Sequence, residues 1–349
     1  MTNRILTGVA AFGLAVAAVS GAAYARDQIR VVGSSTVYPF TTAVAEQFGK
    51  AGQFPTPVVE STGTGGGIKL FCGGVGADHP DVANASRAIT KGEFESCTTA
   101  GVTEIIELKI GFDGIVIASA KASPDFNLTR TQIFLALAKQ VPGPDGALVD
   151  NPYKTWAEID PALPNEPIEA LGPPPTSGTR DAFLELFMDQ GARGIESLAQ
   201  LRKDDVAAYD VVWKSIREDG AYIDAGENDN LIVQKLEANP RAIGIFGYSF
   251  LEENMASIKG ATVEGVVPTF EAIADNAYKG SRPLFVYFKK QHIGVVPGLE
   301  EFLDEYASNA AIGEDGYLSA KGLVPLPADQ LEAAQGAATA LDVIQAPTS

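Results

Sequence analysis

Three segments of the chain combine serine, threonine and glycine with the predicted start of a helix: VGSSTVYPF (32–40), STGTGGGIK (61–69) and PTSGTRD (175–181). A helix start carries unpaired backbone N–H groups and the positive end of the helix dipole, so it favours an anion. Glycine lets the backbone approach a ligand closely, and hydroxyl groups donate further hydrogen bonds. Helix capping alone explains any one of these turns. Three of them in one chain predict a tetrahedral oxyanion held by donors from several helix starts.

Other uses of these loops fit the sequence less well. Gly63 and Gly65 are followed by Ile68 where a dinucleotide-binding fingerprint needs a third glycine. The chain contains neither the phosphate-binding loop motif of nucleotide hydrolases nor the nucleophile elbow of serine hydrolases. These motifs therefore do not support a nucleotide site or a serine hydrolase.

The sequence contains few residues that could act as a catalytic base or as metal ligands. A serine or threonine nucleophile needs a base or a metal ion, and the chain has only two histidines, His79 and His292. Both lie in polar surroundings that predict exposed loops, and neither joins a Cys/His/carboxylate group with metal-ligand spacing. We therefore expect no catalytic residue, no metal and no cofactor. A secreted phosphatase remains the less favoured alternative.

Composition limits the partners. The chain has 349 residues, 46% of them hydrophobic, and a formal net charge of −18. This length usually means two domains, each with a sizeable core. The acidic balance argues against nucleic acid or an anionic membrane surface as partner, because both require a basic footprint.

Residues 1–25 are typical of a signal peptide. Arg4 precedes an apolar run, and the small-x-small sequence AYA ends at Ala25. A membrane anchor is the alternative, but the apolar run is short for a span of about 20 residues. We expect cleavage after Ala25 and a periplasmic product that is not itself membrane-embedded.

The two cysteines, Cys72 and Cys97, both follow this segment. In an oxidising compartment the simplest arrangement is one disulfide between them. Two inert buried thiols or one reactive thiol remain alternatives.

Short apolar runs alternate with helical patterns, which predicts an α/β fold. Strands are predicted at residues 29–32, 58–59, 81–85, 105–109, 115–118, 168–171, 242–246 and 284–288. Helices are predicted at residues 41–48, from about 68, and at 131–138, 180–188, 299–307 and 328–340. Residues 141–152 are predicted to be a surface loop, and residues 191–229 a helical surface with no assignable chemistry.

Five segments, in the same order along the chain, resemble the periplasmic phosphate-binding protein family (PstS) of bacterial ABC phosphate importers. They are VGSSTVYPF, ESTGTGGGIKLFCGG, DVANASRAI, IGFDGIVIA and PPPTSGTRDAF. The resemblance implies high-affinity binding of inorganic phosphate and its delivery to an ABC permease in the inner membrane. The mature chain is expected to be a monomer.

The same resemblance implies a two-lobe, type II-like binding-protein fold with the anion in the cleft between the lobes. Lobe I would comprise residues 26–112 plus 284–349, and lobe II residues 113–283. Two crossover strands near residues 111–113 and 281–283 would join them.

Binding residues follow from the resemblance where the motifs align. The first turn implies Ser35, Thr36 and the backbone of Val37, with a register open by one position. The glycine loop implies the hydroxyl of Thr64. In the turn of the second lobe, the resemblance implies three binding residues: Ser177, Gly178 and Thr179.

Two positions depart from the family pattern. Arg87 follows Ala-Ser where well-known members carry an aspartate that accepts the phosphate proton, and Pro173 stands where they carry an arginine. We expect Arg87 and Arg180 to supply guanidinium contacts to the anion. Arg180 paired with a nearby carboxylate and a solvent-exposed Arg87 are the alternatives.

The missing aspartate leaves the proton acceptor open. Asp113 is the candidate replacement, and a hinge position beside Gly111 and Gly114 is its alternative role. A receptor for another tetrahedral oxyanion, sulfate or a phosphonate, remains a second function.

Overall fold

The structure, a computed structural model, describes residues 27–226 and 229–347. The predicted signal peptide, residues 1–25, lies outside the described residues. In the two described ranges, no helix combines the length and the apolar character that crossing a bilayer requires.

The strands are β1 (Arg30–Gly33), β2 (Val58–Ser61), β3 (Val82–Ala85), β4 (Ile105–Ala120), β5 (Asn127–Leu128), β6 (Gln140–Pro142), β7 (Leu148–Asp150), β8 (Ala170–Gly172), β9 (Tyr222–Asp224), β10 (Ile243–Gly247), β11 (Ile258–Gly260), β12 (Thr262–Val263) and β13 (Ser281–Lys289). The α-helices are α1 (Tyr38–Lys50), α2 (Thr64–Phe71), α3 (Lys91–Thr99), α4 (Arg130–Leu137), α5 (Trp156–Ile159), α6 (Gly178–Phe183), α7 (Gln190–Arg193), α8 (Glu196–Asp204), α9 (Val206–Lys214), α10 (Asp229–Ala238), α11 (Tyr248–Glu253), α12 (Phe270–Ala274), α13 (Leu299–Ala307), α14 (Asn309–Ile312) and α15 (Ala328–Thr339). A π-helix, Leu184–Asp189, continues α6, and short 3-10 helices cover Lys290–His292 and Ser319–Lys321.

One curled sheet runs through the molecule in the order β2-β1-β3-β13-β4-β10-β8-β9, with β11 also paired to β4. Strands β1, β2 and β3 are parallel, as are β8, β9 and β10. The long antiparallel pair β4–β13 joins the two parallel groups. Parallel strands need helical crossovers, which explains the alternation of apolar runs and helical patterns in the sequence.

Hydrophobic cores lie on both sides of the β4–β13 pair. One gathers residues from 112–278, together with Val324 and Leu326. The other side holds two clusters drawn from residues 29–110 and 284–338. The predicted α/β fold of two lobes with two crossover strands is confirmed. The exact division into residues 26–112 plus 284–349 and 113–283 stays a prediction.

The crossover β4 differs from the sequence prediction, which placed two strands on either side of residues 111–114. The structure has one continuous strand, in which Asp113 lies opposite Arg282 of β13. Gly111 has φ 151°, and a Cβ there would come within 2.6 Å of the Val324 carbonyl oxygen. Glycine is therefore required for the close approach of another chain segment rather than for a turn.

Helix α2 also differs, because it begins at Thr64 and not near Ile68. The glycines continue the helix instead of forming a loop before it. A Cβ on Gly67 would lie 2.3 Å from the Cα of Gly33, so the glycine lets the start of α2 pack directly against the end of β1.

Three further predictions need correction. Residues 141–152 contain the β6–β7 hairpin, because turn residues there join two short paired strands. The predicted helix 180–188 is α6 followed by the π-helix. Residues 191–229 are mainly helical but include β9, which pairs with β8. Strand β9 brings a residue of this segment to the site described below.

The predicted disulfide is confirmed. Cys72 and Cys97 are bonded, with their Cα atoms 4.2 Å apart. The bond joins the end of α2 to α3 and lies in a hydrophobic cluster. The cysteines are 25 positions apart, and loop closure of this length contributes roughly 3 kcal/mol of stability.

Candidate functional site

A cavity of about 490 Å³ lies between the two lobes, beside β4. It brings together some of the predicted binding residues: Thr36, Asp113, Ser177, Gly178 and Thr179. The remaining lining consists of Pro39, Phe40, Ile115, Gly247, Phe250, Ala320, Lys321 and Gly322. A larger cavity, about 760 Å³, has carboxylates on α11 and α12 in its lining, which includes none of the predicted binding residues among those described.

The first turn presents two hydroxyl groups toward the second lobe. Ser35 is partly exposed, and its side chain offsets part of the rise in the pKa of Asp181. The Thr36 hydroxyl accepts a hydrogen bond of 2.9 Å from Arg282. Val37 is fully buried, and its N–H lies 3.4 Å from the Ser34 hydroxyl.

The second predicted binding segment, at the start of α2, makes different contacts from the first turn. The Thr64 hydroxyl accepts a hydrogen bond of 3.1 Å from the backbone N–H of Ser86 and lies 3.0 Å from the Ser86 hydroxyl. Thr64 thus ties the start of α2 to the end of β3. Within the described residues it is not part of the cavity lining.

Arg87 lies over the same loop and is engaged elsewhere. Its guanidinium makes two hydrogen bonds, 2.8 and 2.9 Å, with the Glu93 carboxylate and one of 3.1 Å with the Ala88 carbonyl. Glu93 is also the N3 residue of the capping box at the start of α3, whose N-cap is Thr90. The Arg87 side chain is 44% exposed, so solvent screens this pair.

The turn of the second lobe reaches the first lobe directly. Ser177 caps α6 by accepting a hydrogen bond of 3.2 Å from the Thr179 N–H. A Cβ on Gly178 would lie 3.7 Å from the Ser35 carbonyl oxygen. The backbones of the two predicted anion-binding turns therefore approach each other across the cleft.

Arg180 is buried beneath this turn. It donates a hydrogen bond of 3.1 Å to the Pro173 carbonyl, and its guanidinium lies 4.5 Å from the ring centroid of Tyr222. The Tyr222 hydroxyl donates to the same carbonyl at 2.7 Å. Burial raises the pKa of Tyr222 to about 12. Tyr222, from a segment predicted to carry no chemistry, thus positions a predicted ligand.

Arg282 is a charged residue of the cleft that sequence reasoning did not name as a ligand. It lies on crossover β13 and donates to Thr36 and Glu185. Its Nε is 3.5 Å from the Asp113 carboxylate. The arginine in Ser-Arg-Pro was available as a signal, but only the pairing of β4 with β13 places it in the cleft.

Burial sets the electrostatics of the cleft carboxylates. Burial raises the pKa of Asp113, and the neighbouring Arg282 partly offsets that rise. Burial likewise raises the pKa of Asp181, offset by the hydrogen bond from Ser35. In the described part of the chain, Asp113 Oδ2 and the Nε atoms of Arg180 and Arg282 are buried without a hydrogen-bond partner. Such atoms retain bonding capacity, which a ligand can satisfy.

His292 does not lie in an exposed loop as predicted. It is 3% exposed, and its ring nitrogens contact Asp81 at 2.6 Å and the Val75 carbonyl at 2.9 Å. The prediction was wrong because the polar neighbours of His292 form a 3-10 helix over the buried end of β13.

Comparison with known proteins identifies the family. The PBP superfamily domain matches residues 18–310, which is most of the chain. The chain belongs to the PBP superfamily. Protein SphX of Synechococcus elongatus is 31% identical over 337 residues, which cover 95% of this chain and 87% of that protein.

Two further relatives confirm the resemblance to the phosphate-binding protein family. The phosphate-binding protein PstS of Staphylococcus saprophyticus is 29% identical over 283 residues, covering 79% of this chain and 74% of that protein. The crystal structure of a possible phosphate binding protein from Planctomyces limnophilus matches with a TM-score of 0.71 and 27% identity. The match covers 90% of this chain and 98% of the chain in that crystal structure.

Proposed function

We propose that the mature chain binds inorganic phosphate in the cleft between the lobes and delivers it to an ABC permease in the inner membrane. The observation that carries this proposal is the meeting of the turns at Thr36 and Ser177 around one cavity in a relative of phosphate-binding proteins. Export through the signal peptide, cleavage after Ala25 and a periplasmic, monomeric product belong to the same proposal, as does the absence of enzymatic activity.

The proposed ligand set is centred on the two facing turns. Hydroxyl groups and backbone N–H groups come from Ser35, Thr36 and Val37 on one side. On the other side Ser177, Gly178 and Thr179 supply them at the start of α6. Neutral hydrogen-bond donors of this kind can hold a buried anion without adding charge.

Arginine contacts complete the set. Arg180 is buried directly behind the second turn. The side chains of Thr64 and Arg87 bond Ser86 and Glu93. Thr64 stays in the set on the strength of the sequence resemblance, and Arg87 stays because a buried anion needs a positively charged partner. For Arg87 to contact the anion, its guanidinium has to exchange Glu93 for phosphate.

Asp113 is the proposed proton acceptor that confers selectivity. Phosphate keeps a proton near neutral pH, whereas sulfate has none to donate. A buried carboxylate beside the anion accepts a hydrogen bond from protonated phosphate and repels sulfate. Asp113 Oδ2 accepts no hydrogen bond in the described structure and has only an ion pair of 3.5 Å with Arg282 Nε, which supports this assignment.

Delivery rests on the two-lobe fold. Opening and closing of the lobes about β4 and β13 changes the surface that the permease meets. A ligand buried between them favours the closed arrangement, because it contacts both turns only there.

Isothermal titration of phosphate-free mature protein with phosphate, sulfate, arsenate and molybdate between pH 5 and 8 tests the proposal. We expect tight phosphate binding and weak sulfate binding. Sulfate binding equal to that of phosphate contradicts the proposed selectivity and supports a receptor for another oxyanion.

Two variants test the ligand set. Ser177→Ala and Arg87→Ala are each expected to weaken phosphate binding, the arginine by about 1.5–3 kcal/mol for a charged hydrogen bond. Ser197→Ala on α8, exposed and remote from the cavity, is the control. Unchanged affinity removes the residue concerned from the set. Turnover of a chromogenic phosphomonoester that is lost in Ser177→Ala points instead to a phosphatase.

A further inference from the structure

Two carboxylates of lobe II lie on one face of a continuous helix beside the cleft. Asp181 in α6 and Glu185 in the π-helix are four positions apart, a spacing that places side chains on one face. Ser35 of the first turn offsets part of the rise in the pKa of Asp181. Glu185 accepts a hydrogen bond from Arg282 of crossover β13.

The partners of these carboxylates are groups that an oxyanion in the cleft also needs. Ser35 belongs to the proposed ligand set, and Arg282 donates to Thr36, which lines the cavity. A phosphate oxygen and a carboxylate oxygen accept the same kind of hydrogen bond from a guanidinium. An anion that binds Arg282 must therefore share it with Glu185 or replace it.

Exposure separates Glu185 from the other acids around Arg282. The side chain of Asp113 is 12% exposed, whereas that of Glu185 is 48% exposed. Asp113 is fixed on β4 between the lobes. Glu185 can turn into solvent at little cost, because a half-exposed carboxylate remains hydrated when its partner leaves.

We propose that Glu185 is an internal competitor for Arg282, and that it sets the affinity of the cleft for its anion. Arg282 then serves as a ligand-binding residue, and Glu185 is the residue that the anion displaces. The contact also joins lobe II to the crossover. While Glu185 holds Arg282, the cleft is not competent to bind the anion. The apparent affinity for the anion therefore falls in proportion to the fraction of molecules in which this contact is formed. This inference rests on the proposed binding of phosphate.

The test is calorimetric titration of phosphate into the mature protein and its Glu185→Gln variant. Loss of the competing negative charge is expected to tighten phosphate binding by about threefold or more. Glu196→Gln on α8 makes the same change in net charge at an exposed site outside the cleft and is expected to leave affinity unchanged. Glu185→Ala, with a smaller side chain, is expected to show the same gain.

A double-variant comparison separates displacement from a general charge effect. The gain from Glu185→Gln is expected to shrink when Arg282 is already Met, because the contested group is gone. An equal gain in both backgrounds, or affinity in Glu185→Gln that is unchanged or weaker, overturns the inference. Failure of the unaltered protein to bind phosphate contradicts the proposed function instead.

Discussion

Strand β13 carries a buried cation near each end, and the two are held in different ways. At the cleft, Arg282 is surrounded by side chains of Thr36, Glu185 and Asp113. At the far end, Lys289 is fully buried and donates to the main-chain carbonyls of two residues, at 2.6 and 2.9 Å: Gly74 and Pro80.

The far end is completed by an acid and a histidine. Asp81 accepts a hydrogen bond of 2.8 Å from the Arg30 N–H and lies 2.6 Å from the His292 ring. His292 also contacts the Val75 carbonyl. The loop at residues 73–80 is thus fixed by two basic side chains, directly after the disulfide-bonded Cys72.

The difference separates a structural cluster from the proposed binding site. Main-chain carbonyls of a fixed loop cannot exchange, so Lys289 stabilises one arrangement. Side chains from two lobes can exchange, and Arg282 retains a buried Nε without a hydrogen-bond partner among the described residues. We infer that removing a group at the far end lowers stability, whereas removing Arg282 lowers binding.

The largest expected effect is on stability at the far end. Asp81→Asn keeps the shape of the side chain but removes the carboxylate that contacts buried His292. Breaking a buried charged cluster costs about 3–5 kcal/mol of unfolding free energy. Urea unfolding of the two proteins measures this. Asp329→Asn, exposed in the first turn of α15, is the control and is expected to stay within about 0.5 kcal/mol.

The Asp81→Asn variant also tests whether the far end of β13 affects phosphate binding. Phosphate affinity of folded Asp81→Asn is expected to equal that of the unaltered protein, because the cluster lies at the opposite end of β13. A large loss of affinity without a loss of stability contradicts the division between the two ends.

The disulfide also stabilises the far end of β13, and its removal is expected to lower stability slightly less than Asp81→Asn does. Cys72→Ala with Cys97→Ala is expected to lower unfolding free energy by roughly 3 kcal/mol, because the unfolded chain is no longer cross-linked. Unfolding under oxidising and reducing conditions measures it: reduction should destabilise the unaltered protein and leave the double variant unchanged. Insensitivity of the unaltered protein to reduction contradicts the prediction.

At the cleft, Arg282→Met is expected to weaken phosphate binding by about 1.5–3 kcal/mol, the value of a charged hydrogen bond. Arg282→Lys is expected to recover only part of this, since lysine cannot reproduce a planar fork of donors. Arg202→Met on exposed α8 is the control. Arg282→Met that binds phosphate as tightly as the unaltered protein removes Arg282 from the site.

The contrast also explains what the sequence could predict. Turns such as 175–181 follow from local rules of capping and glycine geometry, and α13 begins and ends at the predicted residues, Leu299 and Ala307. Arg282 and His292 depend on which strands pair. Their neighbours in space come from residues 75–81, 113 and 185, far away in the sequence.

The same limit applies to the glycines and to Arg180. Gly111 is a turn signal in isolation, and only the approach of Val324 makes it part of a continuous strand. Arg180 was expected at the anion or beside a carboxylate. Its contact with Tyr222 depends on β9, which no local pattern predicts as part of the sheet.

The smallest expected effect concerns the pH dependence of stability at Asp113. Because burial raises its pKa in the folded protein, the folded state binds this proton more tightly than the unfolded chain does. Its contribution to the unfolding free energy is therefore greatest at low pH and is lost as the pH rises from the ordinary range of an aspartate to the raised pKa. Asp113→Asn removes this contribution, so its stability is expected to fall less over that interval. Urea unfolding at a series of pH values measures the difference. If the unfolding free energy of Asp113→Asn falls more steeply with pH than that of the unaltered protein, Arg282 rather than burial controls the pKa of Asp113. Asp113 and Arg282 would then form a fixed ion pair in the cleft.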